Sequence, residues 1–263
     1  LGLAGNLTAA SIVVAAKGLG AVADAACADS AISGELALIG VQTHVVALDW
    51  KGAFAKAEEL SHRVGASTSL RMRASVLAAM AQTNLGDADE AHRWYARARR
   101  LAGERDGVKP TTTWDRLWAY SSEIITHGFA GTDARPSLAG LEEAYRDAAM
   151  EGDPTTWTFA VFVAAGAAAS VGDADRALLE LRGALRRPRL PRFGSMAAYI
   201  EMVMTRSLAL QGRAEDARIV FDLADTTVIK NVPLLDHARL IAEACVLVAE
   251  GRDSEALGRA REA

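Results

Sequence analysis

A short phrase recurs along this chain, and it dictates where helices must stop and restart. Leu85-Gly86-Asp87-Ala88-Asp89-Glu90-Ala91 returns as Val171-Gly172-Asp173-Ala174-Asp175-Arg176-Ala177. It returns again as Gln211-Gly212-Arg213-Ala214-Glu215-Asp216-Ala217 and as Glu250-Gly251-Arg252-Asp253-Ser254-Glu255-Ala256, with a weaker copy at Leu48-Asp49-Trp50-Lys51-Gly52-Ala53. The closing alanines fall at 53, 91, 177, 217 and 256, so the gaps are 38, 86, 40 and 39, and the gap of 86 spans two units of 43. An internal period of this size is the mark of a repeat architecture. Each position in the phrase has a physical job. The glycine takes the left-handed conformation that ends one helix. The aspartate after it accepts backbone N–H bonds and starts the next helix. Asp87 and Glu90 have the spacing of a capping box. The small alanine lets two helices approach closely. Each unit is therefore a helix, a tight turn and a helix.

The spacing predicts first helices over 35–48, 70–85, 112–127, 155–171, 195–211 and 234–250. Second helices are expected over 52–64, 88–102, 136–151, 174–187, 214–225 and 253–263, after a less regular pair at 7–17 and 20–31 within the first 34 residues. One junction, near 128–136, is degenerate; Pro136 suits the first turn of the helix that follows it. Alanine, the best helix former, is about a fifth of the chain, and there are only 6 prolines in 263 residues. These observations make the fold all-α. They predict a single repeat domain over 1–263, a right-handed α-superhelix of six to seven helix-turn-helix units of about 40 residues with a concave side.

The junctions, with Tyr95 or Phe221 four residues past the alanine in two copies, resemble those of tetratricopeptide repeats. The period is longer than is standard for that family. In this it resembles the sensor region of the large ATP-dependent LuxR-type transcriptional regulators, related to the maltose-regulon activator, as do the stretches 208–217 and 248–257. The resemblance implies an ATPase module upstream, a helix-turn-helix module downstream, and a repeat arm that senses a small-molecule inducer or a regulatory protein. Both ends are expected to be cut, because the chain starts at Leu1 without a methionine and ends at Ala263 inside a growing helix.

Candidate contacts follow from where such superhelices carry their groove, on the first helices. Trp114, Trp118, Trp157, Phe162 and Tyr199 lie there, and they either line a groove or fill the core between units. Glu123, Glu201 and Arg206 share those helices and are candidate polar contacts. Arg182, Arg186, Arg187, Arg189 and Arg192 span the end of one helix and the loop with Pro188 and Pro191. There they complement its dipole or form a patch for an anion or an acidic partner. Arg97, Arg99 and Arg100 invite the same two readings.

Catalytic chemistry finds no carrier. The histidines, His44, His62, His92, His127 and His237, have no metal-ligand spacing in sequence. There is no phosphate loop of the form G-x-x-x-x-G-K-S/T and no nucleophile elbow, so neither an enzyme nor a bound cofactor is expected. The adjacent pairs Glu58/Glu59 and Glu142/Glu143 diverge around a helix and do not make acid/base pairs. A net charge of −4 argues against direct nucleic-acid contact. Cys27 and Cys245 read as separate reduced thiols of a cytoplasmic protein. The apolar stretch 1–28 is broken by Gly18 and Gly20 and is too short for a membrane span. Self-association as a homo-oligomer is left open. The function expected is a ligand- or protein-binding sensor arm; a stand-alone protein–protein scaffold is the alternative.

Overall fold

The computed structural model describes residues 30–103, 111–130, 135–185, 195–225 and 232–263. They form twelve helices in six hairpins and no strand. The hairpins are α1 (Ser30–Val46) with α2 (Trp50–His62), α3 (Thr68–Leu85) with α4 (Ala88–Ala102), and α5 (Thr113–Ala130) with α6 (Arg135–Glu151). The other three are α7 (Pro154–Ser170) with α8 (Ala174–Leu185), α9 (Ser195–Leu210) with α10 (Ala214–Asp225), and α11 (Pro233–Ala249) with α12 (Asp253–Glu262). Each expected pair from residue 35 onward is present. Bounds shift by up to five residues: α5 runs on to Ala130, into the junction expected near 128–136, and α1 begins at Ser30, so 30 and 31 belong to it and not to an earlier helix. The expected helix at 7–17 and the rest of that at 20–31 lie outside the described residues.

The four glycine junctions share one geometry. Gly86, Gly172, Gly212 and Gly251 all take positive φ, between 75° and 91°. In each, the residue after the glycine donates its N–H back to the carbonyl five residues earlier: Asp87 to Gln82 at 3.0 Å, Asp173 to Ala168 at 2.9 Å, Arg213 to Leu208 at 3.0 Å and Arg252 to Leu247 at 2.8 Å. This is the Schellman closure, which satisfies carbonyls that a helix end otherwise leaves unpaired. The weaker first copy closes the same way with Leu48 in the glycine's place, at φ 60°, and Asp49 N–H donating to the His44 carbonyl at 2.9 Å.

The start of the second helix is chemically split. Asp49, Asp87 and Asp173 accept from the backbone N–H of Gly52, Glu90 and Arg176, at 2.9, 2.9 and 3.1 Å. Arg213 and Arg252 cannot accept, and instead donate to the acid three residues on, Asp216 and Glu255, both at 2.8 Å. The capping box expected of Asp87 and Glu90 is only half made, because the Glu90 carboxylate is taken by Arg93 at 2.6 Å. The alanines that close the phrase, Ala53, Ala91, Ala177, Ala217 and Ala256, are all buried.

Packing follows the order of the chain. Every first helix contacts its own second helix and the first helix of the next hairpin, so α1, α3, α5, α7, α9 and α11 form one continuous layer. The second helices lie on one side of that layer, each also touching the next first helix. The layer then returns on itself, since α11 contacts α1. There Val232 and Leu235 are buried with Val46 and Tyr199 packed against them. The core has two large parts, one around α1–α4 and one from α5 to α11, and Trp118 and Tyr120 of α5 pack against both. Helix α7 is buried continuously from Thr158 to Ala169, as an element apolar on every side must be. No helix among the described residues is long and apolar enough to cross a membrane.

Candidate functional site

The aromatic residues singled out on the first helices pack against their neighbours. The Trp114 ring stacks on Phe159 of α7, with centroids 3.8 Å apart and planes 14° from parallel. Trp157 meets Tyr145 of α6 at 4.9 Å. Phe162 is only 4% exposed and belongs to the core. Trp114, Trp118 and Trp157 are partly exposed and border the same cluster. Tyr199 packs on Val232 and Leu235 at the return of α11. Burial pushes its phenol above the ordinary value, and the nearby Arg206 charge acts the other way.

Charged side chains are sparse on this same layer, but three of them meet across it. Arg73 of α3 reaches two carboxylates on either side of it: Glu35 of α1, held through two nitrogens, and Asp115 of α5, 3.5 Å from Nε. Ser69, one turn before Arg73, also donates to Asp115, which is buried. Glu35 and Arg73 both lie fourteen residues before their capping aspartates, Asp49 and Asp87. Counting back equally from Asp173 and Arg213 gives Phe159 and Tyr199. One register of the first helices therefore carries charge on α1 and α3 and aromatic rings on α7 and α9, while Asp115, near the start of α5, joins the charged seam from outside that register.

A second polar cluster surrounds Glu123, which is 1% exposed. Its carboxylate accepts from Arg99 of α4, from Ser137 of α6 at 2.5 Å and from His127 at 3.4 Å. The rings of His92 and His127 lie 4.7 Å apart. A charge removed from water needs this completeness, since breaking a buried ion pair by losing one partner costs about 3–5 kcal/mol. Arg116, also buried, pairs with Asp147 of α6 at 2.7 Å and donates to Thr113 at 3.0 Å. Glu201 on α9 is buried, and Arg206 is half-buried with its charge felt at both Tyr199 and Cys245. Burial raises the Cys245 thiol.

The residues named in advance thus divide. Glu123 faces the second helices α4 and α6 and serves as a packing contact between hairpins. Trp114, Trp157 and Phe162 join neighbouring units. Tyr199 and Arg206 lie one above the other on α9, two turns apart. Arg186, Arg187, Arg189 and Arg192 lie outside the described residues, as does Cys27. The Glu35–Arg73–Asp115 seam was not among the sequence candidates; equal offsets from the caps were the signal that could have found its first two members. Likewise His92 and His127, 35 residues apart, meet only in the fold. Among the described residues no trio of His, Cys, Asp or Glu comes together as a metal site would.

A shallow cleft between α6 and α8 is floored by Leu138, Leu141, Ala164 and Ala168 and walled by Tyr145. The Glu142–Arg176 ion pair, at 3.6 Å, borders it, and the Tyr145 hydroxyl donates to Glu180 of α8 at 3.1 Å. The fold offers, in sum, a charged seam across three first helices, buried at Asp115 and exposed at Glu35, and a small cleft between second helices. No family model, no curated protein and no solved structure matches the chain.

Proposed function

We propose that this chain is a binding module, a right-handed superhelix of tetratricopeptide-like units, and that its first helices recognise a small inducer or a regulatory protein. On this reading it is the sensor arm of a cytoplasmic LuxR-type transcriptional regulator, and it has no catalytic role and no direct nucleic-acid contact of its own. The observation that carries the reading is the charged seam Glu35–Arg73–Asp115 across three first helices, with aromatic side chains such as Tyr199 on the same layer. The seam runs from buried Asp115 through half-buried Arg73 to exposed Glu35, and packing between repeats does not require such a line of charge. Polar groups placed among aromatic rings are what a ligand-binding surface uses to orient its guest.

Native mass spectrometry on the purified chain tests this. A small-molecule adduct that is lost in Arg73→Gln and in Tyr199→Ala, with helicity retained, supports a sensor. A bare chain whose only interactions are with other proteins through its outer helices refutes it.

A scaffold or self-associating reading is favoured by a different observation. Leu179 of α8 and Ile219 of α10 are 72% and 59% exposed, at positions 40 residues apart, and Leu257 of α12 is also exposed. Apolar side chains repeated on successive second helices suit a protein partner. A mass of twice the chain, abolished in Leu179→Glu/Ile219→Glu, would favour it.

A further inference from the structure

Arginine is matched to a carboxylate through most of this fold, as at Arg73, Arg99, Arg116, Arg213 and Arg252. Arg71, Arg97 and Arg100 depart from that pattern and lie together, whereas other departures such as Arg63, on Ser33, and Arg146, on the Glu142 carbonyl, stand apart from one another in the chain. Arg71 on α3 and Arg97 on α4 both donate to the carbonyl of Ser61, at 3.1 Å from Nε and 3.0 Å from Nη2. Arg100, one turn beyond Arg97, is exposed and bonds to nothing among the described residues. None of the three has a carboxylate partner among those residues. Burial, and then the charges of Arg71 and Arg100, pull the Arg97 guanidinium below its ordinary value, and no anion offsets them. The Arg97 guanidinium also lies over the Trp94 ring, 5.6 Å from its centroid, and its Nε is buried without an acceptor.

Capping explains part of this. Ser61 is in the last turn of α2, and a helix C-terminus carries about half a negative charge. That suits one guanidinium and leaves two full positive charges gathered without an answering carboxylate among the described residues. Arg71 and Arg97 each have further N–H groups beyond the one spent on Ser61, arranged in a fork that matches an oxyanion. Because Arg71 and Arg97 meet at a single oxygen atom, they are held close enough to grip one group together.

We propose that Arg71, Arg97 and Arg100 bind the phosphoryl group of a small molecule. A phosphoryl dianion answers the excess charge better than a single carboxylate, and its three free oxygens can each meet a different guanidinium. Among the described residues Arg97 and Arg100 span about one helical turn of α4, a footprint that suits a compact anion. Arg71 and Arg73 point to opposite faces of α3, so this site is separate from the first-helix seam, and its loss leaves the sensor reading standing.

The test is isothermal titration of the full chain at constant ionic strength with inorganic phosphate, and with succinate as the dicarboxylate control. Arg100 is exposed and makes no bond among the described residues, so Arg100→Gln is expected to leave the unfolding midpoint unchanged; Arg71→Lys keeps the charge and removes the fork. Phosphate is expected to bind saturably to the wild type and roughly tenfold more weakly to each variant, as the loss of one charge-assisted bond implies. Absence of saturable heat, equal affinity in Arg100→Gln, or succinate binding as tightly as phosphate overturns the proposal.

Discussion

Glycine at a helix end and glycine inside a helix do opposite things in this chain. Gly172 sits at φ +91°, a conformation in which a β-branched side chain is strained. Gly172→Val is expected to lower stability by roughly 1–3 kcal/mol, read as a drop in the urea midpoint at unchanged m-value. Gly183, inside α8, has nothing within 4 Å of where a Cβ would go. Gly183→Ala is therefore expected to raise stability by about 0.5–1 kcal/mol, since it removes backbone freedom from the unfolded chain. The first of these residues was legible in the sequence because only glycine tolerates the backbone that the turn requires. The exception proves instructive: Leu48 takes the same left-handed place at φ 60°. Nothing in its side chain announces this, and only the alignment of Asp49 and Ala53 with Asp87 and Ala91 locates the turn there.

Elements in this fold begin where a carboxylate meets a backbone N–H, and that makes some of them pH-dependent. Asp49 starts α2, and its carboxyl is held below the usual value first by the Gly52 N–H and then by His44, whose Nδ1 lies 2.7 Å away. Asp153 starts α7 and is lowered in the same direction by the N–H of Thr156, at 2.7 Å. A carboxyl lowered in the folded state adds stability above its unfolded value, about 4, and that stability is lost as pH falls through the folded value. The thermal midpoint should therefore drop on acidification below pH of about 4. The drop should be smaller in Asp49→Asn/Asp153→Asn; an identical pH profile for the two proteins would mean that these caps contribute nothing. Between elements, closeness is set by small residues. A Cβ at Gly140 on α6 would lie 2.4 Å from the Tyr120 ring of α5, so Gly140→Val should push the hairpin apart and cost roughly 1–3 kcal/mol in a chemical denaturation. The caps were readable from residue type and spacing. Gly140 was not, because its reason lies in a tyrosine 20 residues away on another helix.

For the molecule as a whole, the contacts that matter most were the ones the sequence kept hidden. Glu35, Arg73 and Asp115 are 38 and 42 residues apart, and pairing across such distances leaves no local pattern. The same holds for the return of α11 to α1, where Val232 and Leu235 reach Val46. A stack of hairpins is held by each unit's contacts with its neighbours, and its stability is close to a sum of such terms. The seam at Leu235 is a different kind of contact, since it closes a circuit of nearly the whole described chain. Closing a long loop costs entropy that grows only slowly with length, so a small apolar patch is enough to hold it. It follows that the seam can open without unfolding the hairpins. Leu235→Asp, which places a charge at a buried apolar contact, should increase the radius of gyration measured by small-angle X-ray scattering while the helical circular dichroism stays as it was. Loss of helicity together with the expansion would mean instead that the seam is part of one cooperative core, and an unchanged radius would mean that neighbour contacts alone fix the curvature that brings α11 back to α1.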